Sequence, residues 1–401
     1  MALLPVDTAR EKILKNVKPL PAESIPLEQA LHRVLTQPVK ARCAQPPFNA
    51  SAMDGYAVRA SDLSTTPVSL EVIGTSAAGH RFKGAVRSGE AVRIFTGAPV
   101  PADTDTVIIQ ENVAVQSKPY ISVLESSAEG RHIRPTGLDF QRGDILIPAR
   151  TCLNARDIGV AAAANVANVR VRRKPVVAIL STGDELVPPG EKPRADQIIS
   201  SNNFALAALI TQLGAEVVNL GIVPDRLKAT ERAITRASDC DILITTGGAS
   251  VGDHDFVKEA LKNAGIRIAF WRIAMRPGKP FMYGRRKGQH VMGLPGNPVS
   301  ALVCARLFLK PLIDAMLGLP PVDGLVEARL GSPLKANDIR QDYLRATLEV
   351  APDGRRTVFP FSRQDSSMQR TMRDSQALIV RPPHAEAAKA GDTVKILVLD
   401  F

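Results

Sequence analysis

At 401 residues the chain is long for a single hydrophobic core, which predicts two to four domains. Hydrophobic content of 45% and charged content of 23% are ordinary for a globular protein, and the 30 prolines and 28 glycines are dispersed, which excludes a low-complexity or disordered chain. A formal charge of +11 calls for an anionic partner, yet aromatics at 4% are too few for the stacking surface of a single-strand nucleic-acid binder.

The first 40 residues read as two helices, one capped by Asp7 and running to Val17, the other over 24–35 with Pro21 and Pro26 near its start. From about residue 45 the chain turns to short β-like runs, clearest at 68–73, 91–95, 106–110 and 120–124, and 144–164 returns to an Ala-rich helical pattern. Residues 175–318 differ in kind. Continuous apolar strands at 175–180, 216–220, 241–245, 266–273 and 291–294 alternate with helices, one of them carrying Phe204, Leu206, Leu209, Ile210 and Leu213 on its apolar side. Pro298 sits well for the first turn of a long final helix. This alternation predicts a doubly wound α/β sheet. Beyond 325 the texture is β again, at 326–330, 343–350, 357–361, 377–380 and 393–397, enough for a small barrel or sandwich.

Basic residues are densest in Arg170-Val-Arg-Arg-Lys174 and Gly284-Arg-Arg-Lys287, which read first as solvated turns, with small anionic ligands as the functional alternative. Cys43, Cys152, Cys240 and Cys304 are far apart and no secretory leader is expected, so they read as reduced cysteines of a cytoplasmic protein. The six histidines show no paired spacing for zinc. Apolar runs such as 161–164 and 299–312 are too short or too interrupted by charge to span a membrane.

In an open α/β sheet, ligands bind at the carboxyl ends of the strands. The successive strands here lead into Thr182-Gly-Asp-Glu185, then Asp225, then Thr246-Gly-Gly-Ala-Ser250 with Asp253 and Asp255, then Arg272, Arg276 and Lys279, and last Leu294-Pro-Gly-Asn-Pro298. Gly247 and Gly252 have the spacing of a phosphate loop, but Asp253 and His254 stand where such a loop needs Lys and Ser/Thr. Backbone N–H groups can hold phosphate without that lysine if Arg272, Arg276 and Lys279 balance the charge. Acids beside phosphates repel unless a cation lies between, so Glu185, Asp225, Asp253 and Asp255 point to a magnesium-and-phosphate site. Each feature alone has a bland reading: a tight turn at Gly247-Gly248, helix caps at Asp184 and Asp225, solvated charges at the cations. Their convergence on one rim favours the functional one. In the first half, Asn49-Ala-Ser-Ala-Met-Asp-Gly-Tyr-Ala57 and Phe95-Thr-Gly-Ala98 are by composition ordinary turns.

These two stretches, with Leu180-Ser-Thr-Gly-Asp-Glu-Leu186, Thr246-Gly-Gly-Ala-Ser-Val-Gly252, Pro277-Gly-Lys-Pro280 and Gly293-Leu-Pro-Gly-Asn-Pro-Val-Ser300, occur in the order seen in molybdopterin molybdenumtransferases. The chain resembles that family, which includes the C-terminal part of gephyrin, over nearly its whole length. The resemblance implies a multidomain α/β protein: a doubly wound α/β molybdopterin-binding domain at 172–320, a β-rich domain at 45–140 inserted in an elongated helical or linker domain at 1–44 and 141–171, and a small C-terminal β-barrel at 321–401. It implies an elongated homodimer whose site lies between the α/β domain of one subunit and the inserted domain of the other.

By position, Asp54, Thr96, Glu185, Asp225 and Asp255 match the family's catalytic residues, and the last three would carry Mg2+. Asp139, Thr182, Gly183, Gly247, Gly248, Ser250, Arg272, Arg276, Lys279, Pro295, Asn297, Arg345 and Ser366 would bind substrate, with Arg272 and Arg276 standing where the family often has lysine. The implied reaction inserts molybdenum from molybdate into adenylylated molybdopterin with release of AMP, and a molybdopterin adenylyltransferase could deliver the substrate. Neither nucleic acid nor membrane is an expected partner. Three other readings stay open on the sequence alone: an adenylyltransferase of the same pathway, a non-catalytic scaffold or degenerate paralogue, and a nucleic-acid binder.

Overall fold

Helix α1 (Val6–Leu14) opens the chain in the computed structural model, which describes residues 3–247 and 256–400. Val6, Ala9 and Ile13 fall on one face at helical spacing and pack in the same core as Ile273, Phe281 and Phe308. Asp7 lies inside the first turn, where its charge meets the helix N-terminus, and Pro5 holds the cap position expected for it. The helix stops at Leu14, short of Val17.

The chain divides into two units, Met1–Glu23 with His32–Val34 and Arg172–Phe401, and Ser24–Leu31 with Leu35–Val171. The second unit contains a six-stranded sheet of β1 (Gly55–Val58), β2 (Val68–Ser76), β3 (Glu90–Ile94), β4 (Thr106–Ile109), β5 (Val113–Val115) and β6 (Tyr120–Val123), in the order β4-β1-β3-β2-β6-β5. A separate core of Leu27, Leu35, Val39, Ile147, Leu153 and Val171 forms in the same unit, with helix α2 (Ala155–Ala163) contributing Ala161. Asn154 caps α2 in a reciprocal box: its side chain accepts from the Arg156 and Asp157 N–H groups, and Asp157 accepts from the Asn154 N–H.

Two helical expectations fail here. Residues 24–35 contain no α-helix; a strand (Ala22–Pro26) leads into a single 3-10 turn (Leu27–Gln29), because Pro26 is extended at ψ 150 and lacks the N–H a helix interior needs. Likewise 144–164 begins with a short strand (Ile145–Ile147) paired to Val39–Lys40, and only the part after Asn154 is helical.

In the first unit β7 (Val176–Thr182), β8 (Glu216–Val223), β9 (Ile242–Thr246), β10 (Arg267–Trp271), β11 (Met282–Arg286) and β12 (Gln289–Leu294) form a sheet in the order β8-β7-β9-β12-β11-β10. The four strands β8, β7, β9 and β12 are parallel; at one edge β11 runs antiparallel to β12, and β10, antiparallel to β11, runs in the same direction as the four. Strand β11 was not legible in the sequence because Gly284, Arg285 and Arg286 interrupt its apolar pattern.

Alternate strand residues face two cores. Val177, Ile179, Ile242 and Ile244 pack with α1, with α3 (Asn202–Gln212) and with the last helical run; Ala178, Leu180 and Leu243 pack with α4 (Leu227–Arg236) and α5 (Phe256–Asn263). The last run is α6 (Pro298–Cys304), a π-turn (Ala305–Leu309) and α7 (Lys310–Leu317), with Pro298 in the first turn as expected. Phe204 does not join the core. It is 57% exposed while Leu206, Leu209 and Ile210 are buried, because it sits roughly 200° round the helix from Leu206.

The C-terminal strands β13 (Leu325–Leu330), β14 (Gln341–Val350), β15 (Arg356–Pro360), β16 (Ala377–Arg381) and β17 (Thr393–Val398) run β14-β15-β13-β17-β16, and a β14–β16 pairing closes them into a barrel. Closure removes the exposed edges that such a short sheet would otherwise present.

Asp241 fixes the start of the α/β sheet. Its carboxylate takes both guanidinium nitrogens of Arg173 at 2.9 and 2.8 Å and the Val176 N–H at 2.8 Å. Its own N–H donates to the Val176 carbonyl, and its carbonyl accepts from the His290 N–H. Three strands are thereby aligned at one end. Asp241→Ala is expected to destabilise the protein by about 2 kcal/mol in urea unfolding, and Arg173→Ala by less, since only the former leaves the Val176 N–H without its acceptor. Equal losses would show that the ion pair alone matters.

Candidate active site

The level start gives a level finish. Ser181 stands opposite Thr246 across β7 and β9, and Thr246 opposite Leu294 across β9 and β12. Beyond these ends lies a cavity of about 380 Å³ lined by Thr182, Glu185, Asn202, Gly247 and Asn297, with Ser367 and Gln369 reaching it from the barrel. Leu186, Ile198 and Ile199 give it one apolar side.

The floor is a buried polar network: the Ser181 hydroxyl bonds the Thr246 hydroxyl at 2.7 Å and also the Asn203 side-chain oxygen. Thr182 Oγ1 is buried at the cavity and finds no hydrogen-bond partner among the described residues, a cost recovered when a ligand acceptor arrives. Gly247 is fixed by a close backbone approach and Gly183 by its positive φ, the nearest atom to it being the movable end of a side chain. At Gly247 (φ +84) a Cβ would lie 2.2 Å from the Thr182 carbonyl oxygen, and at Gly183 (φ +149) 2.3 Å from Glu185 Oε2.

The acids cluster without cations. Asp184, Glu185 and Asp225 are exposed, and none of them forms an ion pair among the described residues. The Asp225 N–H donates to Asp184 Oδ1 at 3.3 Å, and desolvation, followed by the Asp184 charge, pushes the Asp225 carboxyl above its usual range. Asp225 is not the cap of α4; that position belongs to Arg226. Asp255, Gly248, Ser250 and the unassigned Asp253 lie outside the described residues. Among the described residues no group of three or more His, Cys, Asp or Glu is close enough to hold a metal ion. The donors present are hard oxygens carrying uncompensated negative charge, which is the chemistry that suits magnesium.

The expected cations behave differently from one another. Lys279 is exposed, and Arg272, held at φ +70, lays its guanidinium over Trp271 at 4.6 Å. Arg276 is instead engaged by the barrel side: it pairs with Asp342, with Asp338 at 3.3 Å, and bonds Asn337 at 3.2 Å. Expected as a free oxyanion contact, it is spent on carboxylates that the sequence placed 62 and 66 residues away.

Arg345, expected to contribute to oxyanion binding, has a fully buried side chain whose Nη2 finds no hydrogen-bond partner among the described residues. Its Nε donates to Gln364 Oε1 at 3.2 Å and its Nη1 to the Asp365 carbonyl at 2.6 Å, holding the loop that carries Ser366. Ser366 in turn accepts from Asn297 Nδ2 at 2.7 Å, and its carbonyl accepts the Val299 N–H. Arg345 and Ser366 thus brace the turn containing Pro295 and Asn297, and Pro295 itself is buried in it. Ser181, Asn202, Ser367 and Gln369 were missed by sequence reasoning. A hydroxyl pair ending an apolar strand was a signal for Ser181; Gln369, in an unremarkable polar stretch, gave none.

In the other unit, Gly55 pairs with Ile94 across β1 and β3, which brings Asp54 beside Thr96. Asp54 Oδ1 accepts both the Thr96 N–H and the Thr96 hydroxyl, each at 2.7 Å. These bonds, the backbone one first, hold the Asp54 carboxyl below its usual range. Asp139 is exposed in a segment whose backbone is tied to Gln45 and Pro46, while the Asn49 side chain accepts from the Thr136 N–H. The expected residues 54, 96 and 139 therefore hang from segments stitched to one another. Thr96→Val should move the Asp54 pKa upward but leave it below an ordinary aspartate, because the backbone N–H bond survives; a carboxyl-carbon NMR titration reads this, and an unmoved pKa would remove the hydroxyl from the account.

Comparison with known proteins matches three family models along the chain: MoeA N-terminal region (domain I and II) at residues 4–165, a probable molybdopterin binding domain at 178–315, and MoeA C-terminal region (domain IV) at 327–399. A molybdopterin molybdenumtransferase of Haemophilus influenzae is 36% identical, covering 98% of both chains, and one from Nostoc is 37% identical over 94% of this chain and 88% of its own. A crystal structure of the molybdopterin biosynthesis MoeA protein from Pyrococcus horikoshii superposes with a TM-score of 0.84 at 30% identity, covering 99% of each chain. With end-to-end agreement in sequence and in fold, the chain belongs to the molybdopterin molybdenumtransferase family.

Proposed function

We propose that the protein inserts molybdenum from molybdate into adenylylated molybdopterin, releasing AMP and completing the molybdenum cofactor. The observation that carries this reading is the end-to-end match to relatives of that name, barrel and inserted sheet included. An adenylyltransferase reading leaves the segments outside the α/β domain without a purpose. A non-catalytic scaffold would have no use for a Thr182 hydroxyl without a partner and a Glu185 carboxylate without an ion pair, both among the described residues, at one cavity.

In this reading the cavity beyond β7, β9 and β12 takes the substrate's phosphates. Gly247 lets the chain pass close to the anion where a Cβ would obstruct it, and the Thr182 hydroxyl donates to it. Magnesium would be held by Glu185 and Asp225, with Asp255, and when bound supplies charge neutralisation to the phosphate oxygens of the departing AMP. Lys279 and Arg272 concentrate molybdate near the dithiolene. The chain provides no nucleophile; water cleaves the phosphoanhydride, and positioning and electrostatics carry the step. Asp54, kept ionised by Thr96, and Asp139 serve the same site from a second copy of the chain, so the working form is a homodimer. The division into domains at 1–44 with 141–171, 45–140, 172–320 and 321–401 is retained in this proposal, as is delivery of substrate by a molybdopterin adenylyltransferase.

Purified protein supplied with adenylylated molybdopterin, magnesium and molybdate should yield AMP and active cofactor; absence of both products would return the protein to the scaffold reading. Glu185→Ala should lower the rate about 100-fold or more with the fold intact by circular dichroism, and wild-type turnover would end its assigned role. Lys279→Ala should raise the KM for molybdate about tenfold with a smaller change in kcat; the reverse pattern would place Lys279 in the bond-making step instead.

A further inference from the structure

The opposite end of the α/β sheet carries a cleft that the proposed reaction does not use. It has a volume of about 670 Å³ and is lined by Arg267, Arg285, Arg286 and Lys287, with Ser238 and Asp239 on its other side. Arg267 begins β10, Arg285 and Arg286 end β11, and Lys287 is in the turn to β12, so the cations sit at the amino ends of the parallel strands.

The arrangement is costly in the free protein. Arg267 and Arg285 stand directly opposite each other on adjacent antiparallel strands, a like-charge pairing that destabilises a sheet. Among the described residues none of the four cations forms an ion pair with a carboxylate. Arg285 and Arg286 donate only to neutral acceptors: Arg285 to the Lys15 carbonyl and to His290 Nε2, Arg286 to the Ala264 carbonyl and to Gln289 Oε1. Arg286 is accounted for as a cation at the C-terminal end of α5. Charge that guards a sheet edge against pairing explains Arg267 on the edge strand β10, but not Arg285 and Arg286 on β11, which has a neighbour on either side. The field is felt next door: burial first, and then the Arg285 charge, hold the His290 imidazole down to about 4, so it adds no charge of its own.

We infer that this cleft is a second anion site, taking the phosphate groups of a small phosphorylated ligand, with Arg267 and Lys287 as the cations free to contact it. Two features favour a small ligand over an extended acidic partner. The cations line a concavity, and two of them are already oriented by backbone and side-chain bonds. Guanidinium groups suit the bidentate geometry of phosphate oxygens.

Inorganic pyrophosphate is the probe, with amide hydrogen exchange as the readout because it separates this cleft from the cavity at the other end of the sheet. Pyrophosphate should slow exchange in peptides covering 264–268 and 284–288 of the wild-type protein. The double variant Arg267→Ala/Lys287→Ala, which leaves the hydrogen bonds of Arg285 and Arg286 in place, should lose that protection while keeping its thermal midpoint and its rate of cofactor formation. No protection at these peptides under saturating pyrophosphate, or protection that persists in the double variant, overturns the proposal. Protection by an acidic peptide but not by pyrophosphate overturns it too, in favour of a protein partner.

Discussion

A parallel sheet can offer several loop ends to one ligand only if its strands start level, and the Asp241 carboxylate sets that level. It holds Arg173 and the N–H of Val176, while its own backbone reaches both Val176 and His290. Strands β7, β9 and β12 are thus aligned at one end. Side-chain packing then fixes which face each residue serves, since a slip by one residue would exchange the two cores. The cavity residues Thr182, Gly247 and Asn297 are neighbours because of an ion pair at the far end of the same strands.

The cavity of the first unit and the Asp54 segment of the second each show, taken separately, a polar group satisfied on one side and left open on the other. Ser181 is locked by Thr246 and Asn203, whereas the hydroxyl of Thr182 next to it has no partner among the described residues. Asp54 has one carboxylate oxygen saturated by Thr96. Arg345 is committed to Gln364 and Asp365, and acts on the cavity only through the loop it braces.

Apart from β11, the α/β sheet and the barrel were legible because their strands are apolar runs bounded by turns. The helix expected over 24–35 failed on one residue, Pro26, whose missing N–H outweighs an amphipathic spacing. In the site, residues at strand ends such as Thr182 and Glu185 could be read from position alone. Arg276 and Arg345 could not, since their fates depend on Asp342, Gln364 and Asp365, partners that only the closed barrel brings near. Sequence spacing identifies which groups are charged; it does not say which charges are already spoken for.

The brace from Ser366 to Asn297 has a consequence for how this architecture is divided. Ser367 and Gln369 form part of the cavity wall, and Gln369 also reaches Ser201 at the start of α3. The barrel is therefore not an appendage that could be exchanged between proteins as a self-contained module. An α/β domain of this sequence without it would leave one side of its cavity open to solvent. Insertions and deletions should be tolerated at the barrel's far turns, such as that at Gly354, much better than in the few residues between Gln364 and Gln369.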